Sequence, residues 1–287
     1  MIKRLVLFSL LMAGCSEDEK SAGIPMSAAE SRGNVVASAA LSLYTFDCGN
    51  IEVSDFDAFS SSGDYAGQAG RLTNTCYLIR HPAGDLLWDL GLPLGLAGST
   101  PQINGIFTVS LERSLADQLS EIDLRVTDIE FMSVSHSHFD HTGQVSLFPD
   151  VNWLVHQDEL DFILSTEESK LQNAALLGLN KTTFSGNYDV FGDGSVVILE
   201  SPGHTPGHTV LQVNLPESGP MLLTGDLYRR TESRVLQRVP RFNTDESRTR
   251  ESMAAFEILA IQLGARVIIQ HEPADVAALP ELPACLQ

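Results

Sequence analysis

The sequence has few cysteines, few basic residues and no long apolar run beyond its N-terminus. Its 287 residues include only four Cys, which excludes a small scaffold held together by disulfides. Lys and Arg number 18 against 37 Asp and Glu, giving a formal net charge of −19 at pH 7. This acidity argues against a nucleic-acid-binding protein, because phosphates are bound mainly by Lys and Arg. After residue 14, no stretch is apolar enough for long enough to span a membrane as a helix.

The remaining sequence contains enough apolar residues for a sizeable core. Hydrophobic residues make up 43% of the chain, which is too many for a mostly disordered protein. The length fits one large domain or two small ones. Because no internal repeat and no interdomain linker is evident, we predict a single domain over residues 36–287.

The N-terminus is typical of an export signal. Lys3 and Arg4 precede a short apolar run that has signal-peptide length and is too short to span a membrane stably. The small residues before Cys15 resemble a bacterial lipobox, in which the cysteine carries lipid. We therefore predict a signal peptide (1–14), a flexible tether (15–35) and a periplasmic, lipid-anchored protein that contacts the membrane only through this lipid. An ordinary cleaved signal with an incidental cysteine is the alternative.

Short β-rich segments alternate with helical patterns along the rest of the chain. A Pro-Ala-Gly turn between the runs TCYLIR and DLLWDL predicts a hairpin. Residues 91–109 are broken by Gly and Pro and predict a long loop, after which Ser110 is expected to cap a helix. A further helix is predicted over residues 244–264. Strands in runs, interleaved with helices, predict a mixed α/β sandwich.

A dense histidine cluster follows directly on a predicted strand. Residues 136–141 read His-Ser-His-Phe-Asp-His, which is rare by chance in a chain with only 8 His. Imidazole suits zinc and other borderline divalent ions, and a carboxylate adds negative charge. The spacing indicates that His136 and His138 face one metal, while Asp140 and His141 reach a second.

This motif resembles that of the metallo-β-lactamase superfamily, whose fold is an αββα sandwich of two mixed β-sheets flanked by helices. The family's later motifs follow in the expected order: SPGHTPGH, then MLLTGD, then VIIQHE. The resemblance implies a site for two divalent metal ions, expected to be zinc. The implied ligands are His136, His138 and His208 for the first metal, Asp140, His141 and His271 for the second, and Asp226 as the bridge.

The same resemblance implies a hydrolytic mechanism. A hydroxide shared by two metals would attack a substrate carbonyl, because two dications lower the pKa of the water between them. Asp140 would pass a proton to the leaving alkoxide, and no covalent enzyme intermediate would form.

Within the superfamily the sequence resembles the N-acyl homoserine lactonases. The likeness lies in LYTFDCGNIEVSDFDAFS, in the hairpin and in LYRRTESRVLQRVPRFNTDESRTRESM. It implies opening of lactone rings, with N-acyl homoserine lactones as expected substrates and quorum quenching as the consequence. The apolar stretch from Leu92 to Phe107 is expected to hold the acyl chain. Alternatives are a promiscuous ester or phosphotriester hydrolase on the same site, and a non-catalytic periplasmic binding lipoprotein.

Two departures from the lactonase pattern concern residues near the implied metals. These enzymes place a substrate-side tyrosine three residues after the bridging aspartate, whereas Tyr228 stands two residues after Asp226. Despite this difference in spacing, Tyr228 is a candidate catalytic residue, as Asp140 is. Its alternative role is packing. The usual His-Asp-Pro near the end of the chain reads His-Glu-Pro here, from His271 onward.

Several further residues have open roles. Asp89 is expected to support the metal site or its turn without ligating. For His204, support of the ligands and a hydrogen bond within its own turn both remain open. Of the cysteines other than Cys15 (Cys48, Cys76 and Cys285), one pair can close in an oxidising compartment, and the sequence does not say which. A monomer or a homodimer is expected.

Overall fold

Two β-sheets form the centre of the fold in the computed structural model, which describes residues 40–287. The predicted signal peptide, tether, Cys15 and the first residues of the predicted domain lie outside this range. The strands are β1 (Ser42–Val53), β2 (Gly70–His81), β3 (Gly84–Trp88), β4 (Gln102–Asn104), β5 (Phe107–Ser110), β6 (Phe131–Ser133), β7 (Asn152–His156), β8 (Asn180–Phe184), β9 (Tyr188–Asp189), β10 (Val196–Glu200), β11 (Thr209–Leu215), β12 (Gly219–Leu223) and β13 (Arg266–Ile268).

Both sheets are mixed. The first has eight strands in the order β4-β5-β1-β2-β3-β6-β7-β8, and the second has five in the order β13-β12-β11-β10-β9. In the first sheet, β1, β2 and β3 pair antiparallel, whereas β3, β6, β7 and β8 pair parallel. In the second sheet, only the β12–β13 pair is parallel.

Helices cover the outer faces of both sheets. The α-helices of the described residues are α1 (Leu115–Ser120), α2 (Phe139–Thr142), α3 (Gln157–Leu164), α4 (Glu167–Gln172), α5 (Ala174–Leu177), α6 (Thr231–Leu236), α7 (Glu246–Leu263) and α8 (Pro273–Val276). Short 3₁₀ turns lie at Phe56–Phe59, Leu94–Leu96, Val126–Asp128, Val145–Leu147 and Gly225–Leu227. In this part of the chain, no helix combines the length and the apolar character that a membrane crossing requires.

The alternation of side chains along the strands builds three apolar layers. In β3, Leu86 and Trp88 point into the layer between the sheets, where they join residues of the second sheet such as Met221. Leu87 points the other way, into a layer shared with α1 and α3. Phe256 of α7 packs with the outer face of the second sheet. The order helix, sheet, sheet, helix confirms the predicted αββα sandwich.

Several local predictions hold. The predicted hairpin is the antiparallel pair β2–β3. The predicted helix at residues 244–264 is α7, which ends at Leu263 and is capped by Gly264 with φ +60°. Cys48 and Cys76 form a disulfide between β1 and β2, and Cys285 is a free cysteine.

The predictions for residues 91–109 and for Ser110 were wrong. This stretch contains a 3₁₀ turn, the short strand β4 and most of β5, and β5 pairs with the long strand β1. Pairing with β1 stabilises a segment whose own sequence predicts a loop. Ser110 is the last residue of β5, and α1 begins later, at Leu115. Its cap is Ser114, whose hydroxyl accepts a hydrogen bond from the backbone N–H of Asp117.

Candidate metal centre

Four loops at one edge of the sandwich supply the candidate ligands. The His-Ser-His-Phe-Asp-His loop follows β6, and a second histidine loop connects β10 to β11. Asp226 and His271 follow β12 and β13, whose parallel pairing brings the ends of both strands to the same place. Residues far apart in sequence thereby meet at one edge.

The first cluster consists of three imidazole nitrogens and one carboxylate oxygen. Nε2 of His136 lies 2.8 Å from Nδ1 of His138, and Nε2 of His204 lies 3.1 Å from the same atom. Oδ2 of Asp226 lies 3.3 Å from Nε2 of His136 and 3.2 Å from Nε2 of His204. All four groups lie within 4.8 Å of one another, so one divalent ion can contact them together.

The second cluster shares Asp226 with the first. Oδ1 of Asp226 lies 3.4 Å from Nε2 of His141 and 2.8 Å from Nε2 of His271. Oδ2 of Asp140 lies 3.7 Å and 3.9 Å from these two nitrogens. The two oxygens of Asp226 thus face different clusters, which is the arrangement of a bridging carboxylate.

Unpartnered polar atoms show that these residues fit metal ions. Within residues 40–287, Nε2 of His141, Nε2 of His271 and Oδ1 of Asp226 are buried without a hydrogen bond, although they converge. Buried polar atoms are nearly always satisfied, and an ion with borderline nitrogen and oxygen ligands satisfies all three. The geometry therefore fits a dinuclear site for divalent metal.

Burial and neighbouring charges divide the histidines into two protonation classes. Burial lowers the pKa of His136 and His204, and it lowers the pKa of His138 to about 3, so these imidazoles are neutral and ready to ligate. Burial also disfavours the charged form of His141, but Asp89, Asp226 and Asp140 outweigh it and raise its pKa.

The structure contradicts the prediction that His208 is a ligand and places His204 in the first cluster. Nδ1 of His208 lies 3.0 Å from the carbonyl oxygen of Ser201, and Nε2 accepts a hydrogen bond of 3.0 Å from the backbone N–H of Asp226. Both ring nitrogens are therefore occupied. His208 holds the turn that presents Asp226, while His204 lies in the first cluster.

The structure also contradicts a catalytic role for Tyr228. Its ring is 1% exposed, and its hydroxyl donates a hydrogen bond of 3.0 Å to Glu257 of α7. After the 3₁₀ turn Gly225–Leu227 the backbone is extended at Tyr228, so successive side chains point to opposite sides. Tyr228 points into the core, and the next residue, Arg229, contacts Asp226 instead.

Supporting residues orient the ligands. Asp89 is fully buried, accepts a hydrogen bond of 2.7 Å from the backbone N–H of Ser135, and lies 3.1 Å from Nδ1 of His141. Nδ1 of His271 lies 2.7 Å from the carbonyl oxygen of Thr73. Such contacts fix the ring orientation of a ligating histidine, which is the supporting role expected for Asp89.

Sequence reasoning missed Glu159, which joins the two histidine loops. Glu159 lies in α3, is 2% exposed and accepts hydrogen bonds from the backbone N–H and hydroxyl of Ser137, at 2.7 and 2.6 Å. It also accepts from the Thr205 hydroxyl at 2.6 Å and from the backbone N–H of Gly207 at 3.2 Å. Burial raises the pKa of Glu159. The signal that could have identified it is a charged residue beside the apolar residues Leu160 and Ile163, which form the buried face of α3.

A cavity of about 170 Å³ opens onto both clusters. Its polar wall is formed by His138, Asp140, Arg229 and His271. Its apolar wall is formed by Ile51, Phe59, Leu72, Phe107, Phe139 and Phe242. Of the stretch from Leu92 to Phe107 that was expected to hold an acyl chain, Phe107 lines this cavity, whereas Leu92 and Leu96 are buried in the adjacent core.

Fold and site together define a metal-dependent hydrolase of the metallo-β-lactamase type, and the chain belongs to the metallo-beta-lactamase superfamily, whose family profile matches residues 69–271. Among its relatives are N-acyl homoserine lactonases. It is 27% identical to the N-acyl homoserine lactonase AttM of Azorhizobium caulinodans, over 69% of this chain and 81% of that protein. It is 31% identical to the N-acyl homoserine lactonase AiiA of Bacillus thuringiensis subsp. kurstaki, over 58% of this chain and 69% of that protein.

Solved structures show the same fold. An N-acyl homoserine lactone hydrolase with the product N-hexanoyl-L-homoserine at its catalytic metal centre superposes with a TM-score of 0.75 at 24% identity, covering 86% of this chain and all of that one. The dizinc quorum-quenching lactonase AidC superposes with a TM-score of 0.62 at 18% identity, covering 85% of this chain and 89% of that one.

Proposed function

We propose that the protein hydrolyses the ring ester of N-acyl homoserine lactones and thereby quenches quorum-sensing signals. One observation carries this proposal: a single cavity joins the dinuclear cluster to an apolar wall. The cluster suits attack on an ester carbonyl, and the apolar wall suits an acyl chain. The similarity to N-acyl homoserine lactonases supports the same substrate class.

Different residues of the site have different roles in the proposed hydrolysis. Two divalent ions, when bound, polarise a carbonyl and supply hydroxide at neutral pH. Asp226 and the histidines of both clusters would hold these ions, and Asp89 keeps His141 in orientation. Asp140 has a side chain that is 14% exposed and lines the cavity, so its carboxylate can carry a proton to the leaving alkoxide oxygen.

We propose zinc as the bound ion. The first cluster offers three imidazole nitrogens and a carboxylate oxygen, and the second offers two nitrogens with carboxylate oxygens. Zinc accepts this mixed donor set readily, whereas magnesium and calcium prefer oxygen ligands alone. Elemental analysis of purified protein is expected to find two zinc equivalents, and a predominance of another metal would contradict the assignment.

The direct test follows proton release as lactones open. Purified metal-loaded protein is incubated with N-hexanoyl and N-decanoyl homoserine lactone, with the variant Asp226→Asn as the control that lacks the bridging carboxylate. We expect turnover by the wild type and loss of turnover in the variant. A wild type that cleaves aryl esters or phosphotriesters faster than lactones would support the alternative hydrolase, and cleavage of none would support a binding protein.

We also propose export and lipid anchoring. The N-terminal pattern supports export, and the Cys48–Cys76 disulfide supports an oxidising compartment. Metabolic labelling with palmitate, followed by fractionation, compares the wild type with Cys15→Ser. Label and membrane association in the wild type alone are expected, and equal behaviour of both proteins would contradict the lipid anchor.

A further inference from the structure

A buried cation lies in the cavity between the metal ligands and the apolar wall. Arg229 is 7% exposed and lines the cavity. The central carbon of its guanidinium lies 5.4 Å from the ring centre of Phe59 and 5.1 Å from that of Phe242. Contacts of this kind attract a cation and restrict its side chain. Arg229 is therefore held in place beside the clusters.

The guanidinium is only partly satisfied by the protein. Its Nη2 donates to Oδ2 of Asp226 and lies 3.2 Å from Nε2 of His204, both of which belong to the first cluster. Its Nη1 is buried and has no partner among the residues that the structure describes. A buried charged donor without an acceptor is costly, and arginine stays charged at any physiological pH. A ligand oxygen in the cavity would satisfy this donor.

We propose that Arg229 binds the carbonyl oxygen of the substrate ester and stabilises the negative charge that this oxygen gains during hydrolysis. The inference rests on the proposed function. Water contributes OH to the carbonyl carbon, the C–O bond of the ring breaks, and a proton goes to the alkoxide oxygen. The carboxylic acid that forms then loses its proton. A fixed cation next to the carbonyl favours both the charged transition state and the carboxylate product.

The experiment compares Arg229→Met, Arg229→Lys and Arg230→Met. Arg230 is the matched control because its Nη1 also lacks a partner, yet its guanidinium stacks on Phe56 at 4.4 Å, pairs with Glu232 at 2.6 Å and does not line the cavity. We expect kcat to fall about 100-fold in Arg229→Met with little change in KM. Arg229→Lys keeps the charge but loses the planar fork, so its kcat is expected to lie between those of Arg229→Met and the wild type.

A second measurement does not depend on turnover. Calorimetry with the product N-hexanoyl-L-homoserine is expected to show about tenfold weaker binding by Arg229→Met, because a charge-assisted hydrogen bond to the carboxylate is lost, and unchanged binding by Arg230→Met. Metal content and the near-UV spectrum are measured in parallel to show that each variant is folded and loaded.

The outcomes separate this inference from the proposed function. A wild type that opens no lactone contradicts the proposed function, and the variants are then compared on whichever ester it cleaves and by product binding. If Arg229→Met kept the kcat and the product affinity of the wild type, the proposed role of Arg229 would be overturned. Equal losses in Arg229→Met and Arg230→Met would also overturn it, because they would indicate a structural effect.

Discussion

Replacement of Glu159 by glutamine tests whether one buried carboxylate holds the metal-binding loops together. Glu159 accepts four hydrogen bonds, from two groups of Ser137, from Thr205 and from Gly207. Ser137 lies between His136 and His138, and Thr205 follows His204 directly. The three histidines of the first cluster are therefore connected through one side chain.

The size of the effect follows from the hydrogen bonds that a glutamine cannot make. Its amide has one accepting oxygen, and its NH₂ group can donate to a hydroxyl but not to a backbone N–H, so at least one of the four bonds is lost. At about 1 kcal/mol for each bond, plus the cost of unsatisfied buried donors, we expect the free energy of unfolding to fall by about 2–4 kcal/mol. Since the loops also lose their common anchor, zinc affinity is expected to fall about 10- to 100-fold.

Urea unfolding and zinc titration against a competing chelator measure the two effects. The control is Asp161→Asn on the same helix, where the carboxylate is exposed and accepts a hydrogen bond of 2.8 Å from Gln157. A change below about 0.5 kcal/mol is expected for this surface substitution. If Glu159→Gln matched the control in both assays, the reasoning would be refuted.

Three further predictions concern individual side chains of the site. Tyr228→Phe is expected to lower the free energy of unfolding by about 1 kcal/mol through loss of the bond to Glu257 and to leave kcat unchanged, so a large loss of kcat would restore its catalytic role. His204→Ala is expected to bind fewer than two metal equivalents. His208→Ala is expected to unfold at a lower temperature but to keep its metal content. The reverse order would restore His208 as a ligand. Because carboxylates raise the pKa of His141, metal must displace its proton, and apparent zinc affinity is expected to rise about tenfold per pH unit while His141 is protonated. Titrations at several pH values measure this slope, and a flat profile would show that His141 is neutral before metal binds.

The sequence predicted the part of the site that is local. Residues 136–141 are contiguous, so their spacing alone brings most of the histidines and Asp140 together. The choice between His204 and His208 depends on a turn instead. Gly203 has φ +130°, and a Cβ on it would lie 2.3 Å from the backbone nitrogen of Thr249. The pattern of two Gly-His pairs contains no information about this tertiary contact.

Tertiary pairing also explains the other differences. The disulfide joins residues that are not opposite each other in the ladder: Cys76 of β2 pairs with Phe46, and Cys48 lies at the register shift between Asp47 and Gly49 of β1. Strand β5 exists because β1 extends far enough to pair with it. Such pairings join residues distant in sequence and are invisible to local patterns.

The shared carboxylate of Asp226 is expected to couple the uptake of the two metal ions. An ion in either cluster would hold this side chain with its other oxygen directed at the second cluster, so binding of one ion is expected to favour binding of the next. Half-loaded protein should therefore be scarce, and when metal is limiting the population should divide into empty and fully loaded molecules.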